Sequence, residues 1–319
     1  MINQITYEQV SNAINDWAKC ELDKLDVNYS NQIPAYMQLN NFLSKRIPIM
    51  PRKVSQSTFF EVPPERVAGY EKLKNALLNG EDVNPYMSRK LYDSNFADGL
   101  LDHYDCFHFH LGEEMKGKFI NGNDEIALAI VNNREVFFIQ VKTHGKSTWN
   151  NIEVLEIVHE QRPDLIARFK VTSMVDISPS VSDEEDIIKL RENGYSFAVT
   201  LKDGTSYTPA KFGQVTMRDE PEPQTDQSGK NNKKKKFKPL NLAGLHLVAL
   251  QQETRKIFFP LNDYIKQFKL HYKCTITHVE IIDLKGDENF KIHQFKLKIH
   301  YMSGLEISVF ENIFHFVPN

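Results

Sequence analysis

Cysteine is scarce in this sequence: 319 residues contain only three, which are widely separated and form no CxxC pair. A disulfide framework needs paired cysteines, and a zinc ribbon needs closely spaced ones. Because neither pattern is present, we expect free cysteines and a reducing compartment, the cytoplasm.

Long apolar runs and signature motifs are absent too. The longest apolar stretches, such as residues 126–131, fall far short of the ~20 residues that a membrane helix needs. The first residues lack the basic-then-apolar pattern of a secretory signal, and no phosphate-binding glycine loop, GxSxG, HExxH or EF-hand loop occurs. The sequence therefore predicts no membrane contact, no cofactor and no metal site of recognisable spacing.

What is present is an ordinary globular composition with an uneven charge distribution. Hydrophobic residues make up 41% and charged residues 25%, and the length suits two domains at roughly 100 to 200 residues each. Residues 230–319 carry 14 Lys and one Arg against eight acids, a net charge of +7. Since the whole chain has a net charge of −3, residues 1–229 carry a net charge of −10. Histidine is uneven as well, with none before His103. We expect an acidic body joined to a basic tail.

The hydrophobic pattern predicts an α+β fold in four parts. These are a helical region over 1–95, a central α+β domain over 96–218, a charged flexible linker over 219–242 and a small basic α+β module over 243–319. Thr6 and Gln9 form a capping-box pair ahead of a first amphipathic helix. Pro64 and Gly80 predict the start and the end of another. The basic, proline-containing residues 44–54 between them predict an extended, solvated connection.

The central domain is predicted to be an antiparallel sheet backed by a helix. Apolar runs at 104–112, 125–131 and 135–142 are typical of strands, and short polar turns separate them. Connections this short join antiparallel neighbours. Residues 149–159 then show helical spacing and end before Pro163, which predicts a helix that packs on the sheet.

Further signals lie beyond the central sheet. Asp203-Gly204 between two apolar runs predicts a tight hairpin. In the C-terminal module we predict one helix and three strands, at 261–268, 277–284, 290–301 and 305–310. The apolar parity of the middle strand switches near His293 and Gln294, which predicts a β-bulge because strand faces alternate strictly.

The candidate catalytic residues of the central domain are histidines. His108 and His110 are two apart on a predicted strand and so project from one face, and His144 follows a neighbouring strand. They have three interpretations: a general acid and base, because an imidazole pKa near 6.5 allows both protonation states; ligands of a divalent metal; or packing residues. No carboxylate or cysteine completes a recognisable ligand spacing, which weighs against the metal.

Two cations flank these histidines in the predicted sheet. Arg134 stands at the start of the third strand and Lys142 at its far end. Cleavage of RNA without a metal needs a base near the 2′-hydroxyl, an acid near the leaving oxygen and cations at the phosphate. The histidines with Arg134 and Lys142 would supply that set, and a solvated sheet edge explains Arg134 equally well.

A family resemblance rests on four short elements within residues 95–165. They are His108-Phe-His110-Leu-Gly112, Glu125-Ile-Ala-Leu, Val136-Phe-Phe-Ile and His144-Gly145. The layout resembles the central sheet of RelE/HigB-type toxins, which are bacterial ribonucleases. The resemblance implies metal-free cleavage of mRNA, with His110 or His144 as base or acid and Arg134 or Lys142 as phosphate clamp. Those toxins usually carry an Arg in the second strand, where this chain has the aliphatic residues 126–131. The HFHLG and HG elements are also similar to those of uncharacterised prokaryotic proteins.

Lysines of the C-terminal part are candidates for nucleic-acid contact. They are Lys233, Lys234, Lys235, Lys236 and Lys238 of the linker, and Lys296 and Lys298 on one face of the middle strand. Cations gain affinity for a polyanion by releasing its condensed counterions. Lysines in a linker or near a sheet edge also keep a chain soluble and prevent edge pairing. The alternative is a homo-oligomer or a protein partner that docks through the C-terminal edge strand.

Three functions follow from these residues. The leading hypothesis is an RNA-acting protein, a metal-independent endoribonuclease of a toxin–antitoxin or phage-defence system. The second is a non-catalytic nucleic-acid-binding or assembly protein whose histidines are structural. The third is a metal-dependent hydrolase.

Overall fold

The computed structural model describes residues 5–94, 96, 98, 101, 104–122, 124–145, 152–171, 180–181, 184–192, 198–208, 214–215, 242–287, 290–304 and 306–315. The fold class is α+β, as predicted, with a helical N-terminus and a C-terminal sheet. Apart from Leu242, the predicted charged linker lies outside the described residues, and its lysines 233–236 and 238 lie there too. Among the helices that the structure describes, none combines the length and the hydropathy of a membrane-spanning segment.

The described residues form helices and strands in a mixed order. The α-helices are α1 Tyr7–Lys24, α2 Ala35–Ser44, α3 Val67–Asn79, α4 Ile152–Gln161, α5 Pro163–Ile166, α6 Glu184–Glu192 and α7 Gly244–Tyr272. The strands are β1 Lys53–Gln56, β2 Cys106–His110, β3 Met115–Lys116, β4 Phe119–Ile120, β5 Glu125–Val131, β6 Glu135–Thr143, β7 Ser180–Val181, β8 Ala198–Thr200, β9 Ser206–Tyr207, β10 Gln214–Val215, β11 Leu242–Ala243, β12 Thr275–Gly286, β13 Ile292–Ser303 and β14 Glu306–His315.

Contacts divide the chain into two compact units. Residues 1–41 group with residues 245–319, and residues 42–244 form the second unit. The predicted helical region 1–95 is thus shared between the two, because α1 packs against β12 of the C-terminal module. That packing is close: a Cβ atom at Gly286 of β12 would lie 2.6 Å from the indole ring of Trp17.

The central sheet has the strand order β1-β6-β5-β2. The predicted antiparallel meander of β2, β5 and β6 is confirmed, and β1 adds a parallel neighbour to β6. The basic segment before β1 is not solvated as predicted: Arg52 is 4% exposed and Lys45 is fully buried. Arg52 donates to the carbonyl oxygens of Pro48, Met50 and Asn132, because a guanidinium carries several N–H donors in one plane.

The two faces of this sheet carry separate hydrophobic clusters. On one face, Phe107 and Phe109 join a cluster that includes buried residues of α3. On the other face, Cys106 joins the buried residues of α4, so the predicted helix that packs on the sheet is confirmed. His108 and His110 alternate with the two phenylalanines and therefore lie on the α4 face.

Local sequence signals agree with the observed element ends. Thr6 and Gln9 form the predicted capping box, and α3 ends at Gly80, whose φ of 73° is the left-handed conformation that glycine tolerates. The Asp203-Gly204 turn joins β8 to β9 as predicted. Each of these signals depends on residues a few positions apart, which is why sequence reasoning captures them.

The C-terminal module is a three-stranded antiparallel sheet, β12-β13-β14, that packs with α7. The predicted bulge is confirmed: Lys285 pairs with Gln294 and Gly286 pairs with Ile292, so His293 has no Cα partner. Helix α7 is much longer than predicted, because its stripe of buried residues continues on both sides of Pro260.

Candidate active site: a histidine cluster at the edge of the central sheet

The three predicted histidines converge. The ring centroids are 6.2 Å apart for His108 and His110, 6.3 Å for His108 and His144, and 6.0 Å for His110 and His144. His108 and His110 share a face of the edge strand β2, and His144 comes one residue after β6. The backbone amide of His144 donates to the carbonyl of Asp124, which joins the end of β6 to the start of β5. The sheet register therefore assembles the cluster.

The cluster has a buried end formed by His108 and Asp98. Nδ1 of His108 lies 3.1 Å from Oδ2 of Asp98, and the side chains are 3% and 7% exposed. Oδ1 of Asp98 accepts from the amide of Leu101 at 3.2 Å. Burial raises the pKa of Asp98, but the neighbouring His108, the Leu101 amide and the charge of Lys45 outweigh it, so the pKa is lowered overall. The contact holds His108 in one orientation behind the other two rings.

The cluster also has an accessible end. His144 is exposed, His110 is partly exposed, and their rings are nearly parallel at 15°. Partial desolvation lowers the pKa of His144, and its neighbours His108 and Lys90 lower it further. His144 is therefore mostly neutral at pH 7, the form in which an imidazole accepts a proton.

Sequence reasoning missed Lys90, Asp98 and Lys45. Lys90 is exposed and close enough to His144 to affect its pKa, and its Nζ lies 5.1 Å from the centroid of the Phe96 ring. Lys45 is buried, donates to the carbonyl of Phe96 and acts on Asp98. These residues belong to irregular or distant segments, so no periodicity in the sequence connects them with the histidines.

The predicted cations Arg134 and Lys142 are placed differently. Arg134 precedes β6 and His144 follows it, so nine extended residues separate them, about 30 Å at ~3.3 Å per residue. Lys142 lies in the same row of the sheet as His110, but its Nζ is 2.8 Å from Oε2 of Glu153 on α4. Neither residue contributes an unpaired positive charge next to the three rings.

The thiol of Cys106 lies on the same strand face as His108. It is 1% exposed, and burial together with the charge of Asp98 raises its pKa well above the ordinary thiol value. A thiol must lose its proton to act as a nucleophile or as a metal ligand. Cys106 is therefore a packing residue in this cluster.

The metal interpretation has no supporting geometry in the described part of the chain. No group of three His, Cys, Asp or Glu side chains there is placed to hold a metal ion.

No protein family, curated protein or solved structure matches the chain. Function therefore has to be inferred from the geometry of the site itself, and the likeness to RelE-type sheets stays an expectation from sequence.

The predicted nucleic-acid lysines of the module are ion-paired. Nζ of Lys296 lies 2.6 Å from Glu311, and Nζ of Lys298 lies 3.7 Å from Glu280. Both pairs are partly exposed cross-strand contacts. A polyanion would have to compete with these carboxylates, which weakens the case for this face as the principal nucleic-acid surface.

A fourth histidine of the central unit forms a separate contact. Nδ1 of His159 on α4 lies 2.8 Å from the hydroxyl of Tyr207, and its Nε2 lies 3.0 Å from Oδ2 of Asp203. The contact joins the β8–β9 hairpin to α4. Both ring nitrogens have partners, so this histidine has a structural role.

Proposed function

We propose that the unit formed by residues 42–244 is a metal-independent endoribonuclease in which His110 and His144 are the acid and base. The observation that carries the proposal is the pair of accessible, nearly parallel imidazoles with centroids 6.0 Å apart. Acid and base on opposite sides of a phosphodiester need such a separation, because one acts on the attacking oxygen and the other on the leaving oxygen. His108 is a positioning residue, since it is buried against Asp98.

The lowered pKa of His144 suits it to act as the base, and the role of acid then falls to His110. Neutral His144 takes the proton of the 2′-hydroxyl, whose oxygen then attacks phosphorus, and protonated His110 donates to the 5′-oxygen as the P–O5′ bond breaks. The products are a 2′,3′-cyclic phosphate and a 5′-hydroxyl end. Lys90, an exposed cation whose charge lowers the pKa of His144, stabilises the charge that develops on the phosphate oxygens.

The family resemblance implies the same chemistry, but the cation at the phosphate in this proposal is not one of the two that the resemblance implies. RelE-type toxins are expected to cleave RNA without a metal, as proposed here, and an activity of that kind suits a cytoplasmic toxin or phage-defence protein. Arg134 and Lys142 do not take part in the proposed mechanism, because Arg134 is at the far end of β6 and Lys142 pairs with Glu153.

The test is cleavage of an end-labelled RNA by the full chain in the presence of a chelator. We expect cleavage by the wild type, a cyclic phosphate at the new 3′ end, and at least a hundredfold loss in His110→Gln and in His144→Gln, since acid–base groups contribute 10²–10⁴-fold. The matched control is His278→Gln, an exposed histidine of the other unit with a side chain 54% exposed.

Two results would contradict the proposal. One is RNA that stays intact with the wild type, and the other is equal cleavage by all three variants, which would indicate a contaminating nuclease. The same RNA with deoxyribose at every position must resist, because the nucleophile is the 2′-oxygen.

A second candidate function is a non-catalytic binding or assembly protein with structural histidines. The burial of His108 against Asp98 favours it for that residue. This alternative predicts that His110→Gln lowers the melting temperature without changing any activity on RNA.

A further inference from the structure

Strand β14 is an open edge of the C-terminal sheet. It pairs with β13 over ten consecutive residues without a register shift, and no further strand pairs with it in the described chain. Ile307, Val309 and Ile313 point to the same face and are 75%, 51% and 47% exposed. An unpaired edge with apolar side chains is a template for another strand.

The opposite edge of the same sheet is protected. The register of β12 against β13 shifts at Thr277 and again at Ile282, and helix α1 packs on β12. Bulges and covering helices are devices that prevent edge pairing. In β14, residues 306–315 contain no proline, no lysine and no bulge, so among the residues that the structure describes such protection is confined to one edge of the sheet.

We infer that β14 pairs antiparallel with β14 of a second copy of this chain and forms a continuous six-stranded sheet. In the favoured register Phe310 faces its own copy across a two-fold axis, and Ile307 faces Ile313 of the second copy. A shift that centres the axis on Glu311 instead would set two carboxylates against each other, which is destabilising. Nine residues of each strand then pair, with about eight to ten backbone hydrogen bonds.

Charge supports the same partner. Glu311 is the only charged residue between Ile307 and Ile313, and Lys296 of its own sheet neutralises it at 2.6 Å. In the favoured register Glu311 lies opposite Val309 of the second copy. The interface therefore joins isoleucine with isoleucine and leaves no unpaired charge in its central rows, which fits an identical chain.

Sedimentation of the full chain tests the inference. We expect a reversible dimer for the wild type and a monomer for Ile307→Lys, because a lysine on an edge opposes pairing. The matched control Ile282→Lys makes the same change on the same sheet at the protected edge, where isoleucine is 40% exposed, and stays dimeric. Circular dichroism establishes that both variants are folded. A monomeric wild type, or equal effects of the two substitutions, overturns the inference.

Cross-linking tests the register independently of affinity. In a Cys20→Ser background, which removes the exposed native thiol, chains with Ile307→Cys and chains with Ile313→Cys are mixed and oxidised. Facing residues of an antiparallel pair have Cβ atoms about 4.5–5.5 Å apart, so the mixture gives a covalent dimer and either chain alone gives little. Efficient cross-linking of Ile307→Cys with itself would refute the register. None of these readouts depends on ribonuclease activity.

Discussion

Replacing Asp98 by asparagine tests the buried end of the histidine cluster. The change keeps the size of the side chain and the oxygen that accepts from the amide of Leu101, but it removes the negative charge next to His108 and near the buried ammonium of Lys45. Removal of one partner from a buried charge pair costs about 3–5 kcal/mol, because the other charge stays in a medium of low polarity. Since the hydrogen bond to Leu101 is retained, we expect a loss of about 3 kcal/mol in the free energy of unfolding at pH 7.

The pH dependence of this loss has a definite sign. The pKa of Asp98 is about 3.9 in the unfolded chain and lower in the folded protein. Its carboxylate therefore contributes stability above the unfolded pKa, and the contribution disappears as the pH falls through the folded pKa. The difference between wild type and Asp98→Asn should be largest at neutral pH and should shrink below about pH 4.

Urea unfolding followed by circular dichroism at neutral and acidic pH measures both effects. The control is Asp203→Asn, which also removes a carboxylate from a histidine contact, at 3.0 Å, but at a side chain that is 52% exposed. Solvent screens the pair there, so a much smaller loss is expected. Equal losses for the two variants, or a loss at Asp98 that does not change with pH, would refute the reasoning.

Two further predictions concern packing and thiol reactivity. Gly286→Ala should lower the free energy of unfolding by about 1–3 kcal/mol, because its Cβ would lie 2.6 Å from the ring of Trp17. The control is Gly145→Ala, whose Cβ would meet no atom within 4 Å and which should change the melting temperature far less. Equal shifts of the melting temperature in calorimetry would contradict this prediction. In a thiol titration of the native protein only Cys20 should react rapidly, because it is exposed and the other two cysteines are buried. Burial also raises the pKa of Cys106. Three thiols that react equally fast would show that the core opens.

Local patterns were sufficient to predict the central sheet and part of its site. The spacing of His108 and His110 predicts a shared face because side chains alternate along a strand, and the short turns predict the antiparallel order that brings His144 close. The bulge at His293 was readable for the same reason, since an extra residue inverts the apolar parity.

Contacts between distant segments were not predictable from such patterns. Strand β1 has four residues and pairs with residues about eighty positions later in the chain. The buried Arg52 donates to the carbonyl of Asn132 in a distant turn, and no sequence pattern links these two positions. Asp98 reaches His108 from a segment without a periodic pattern. Arg134 was predicted to join the site because it stands next to the strand that leads to His144, but an extended strand places its two ends far apart.

The grouping of residues 1–41 with residues 245–319 has a consequence for synthesis on the ribosome. The segment that contains the histidine cluster lies between these two parts in the sequence, so its synthesis is complete before β12 is made. Helix α1, whose buried face includes Val10, Ile14 and Trp17, has to wait for about 250 further residues before its partner strand exists. A chain that stops after the central unit would therefore lack the β12 partner of that apolar face, and chaperones or proteases would act on it first.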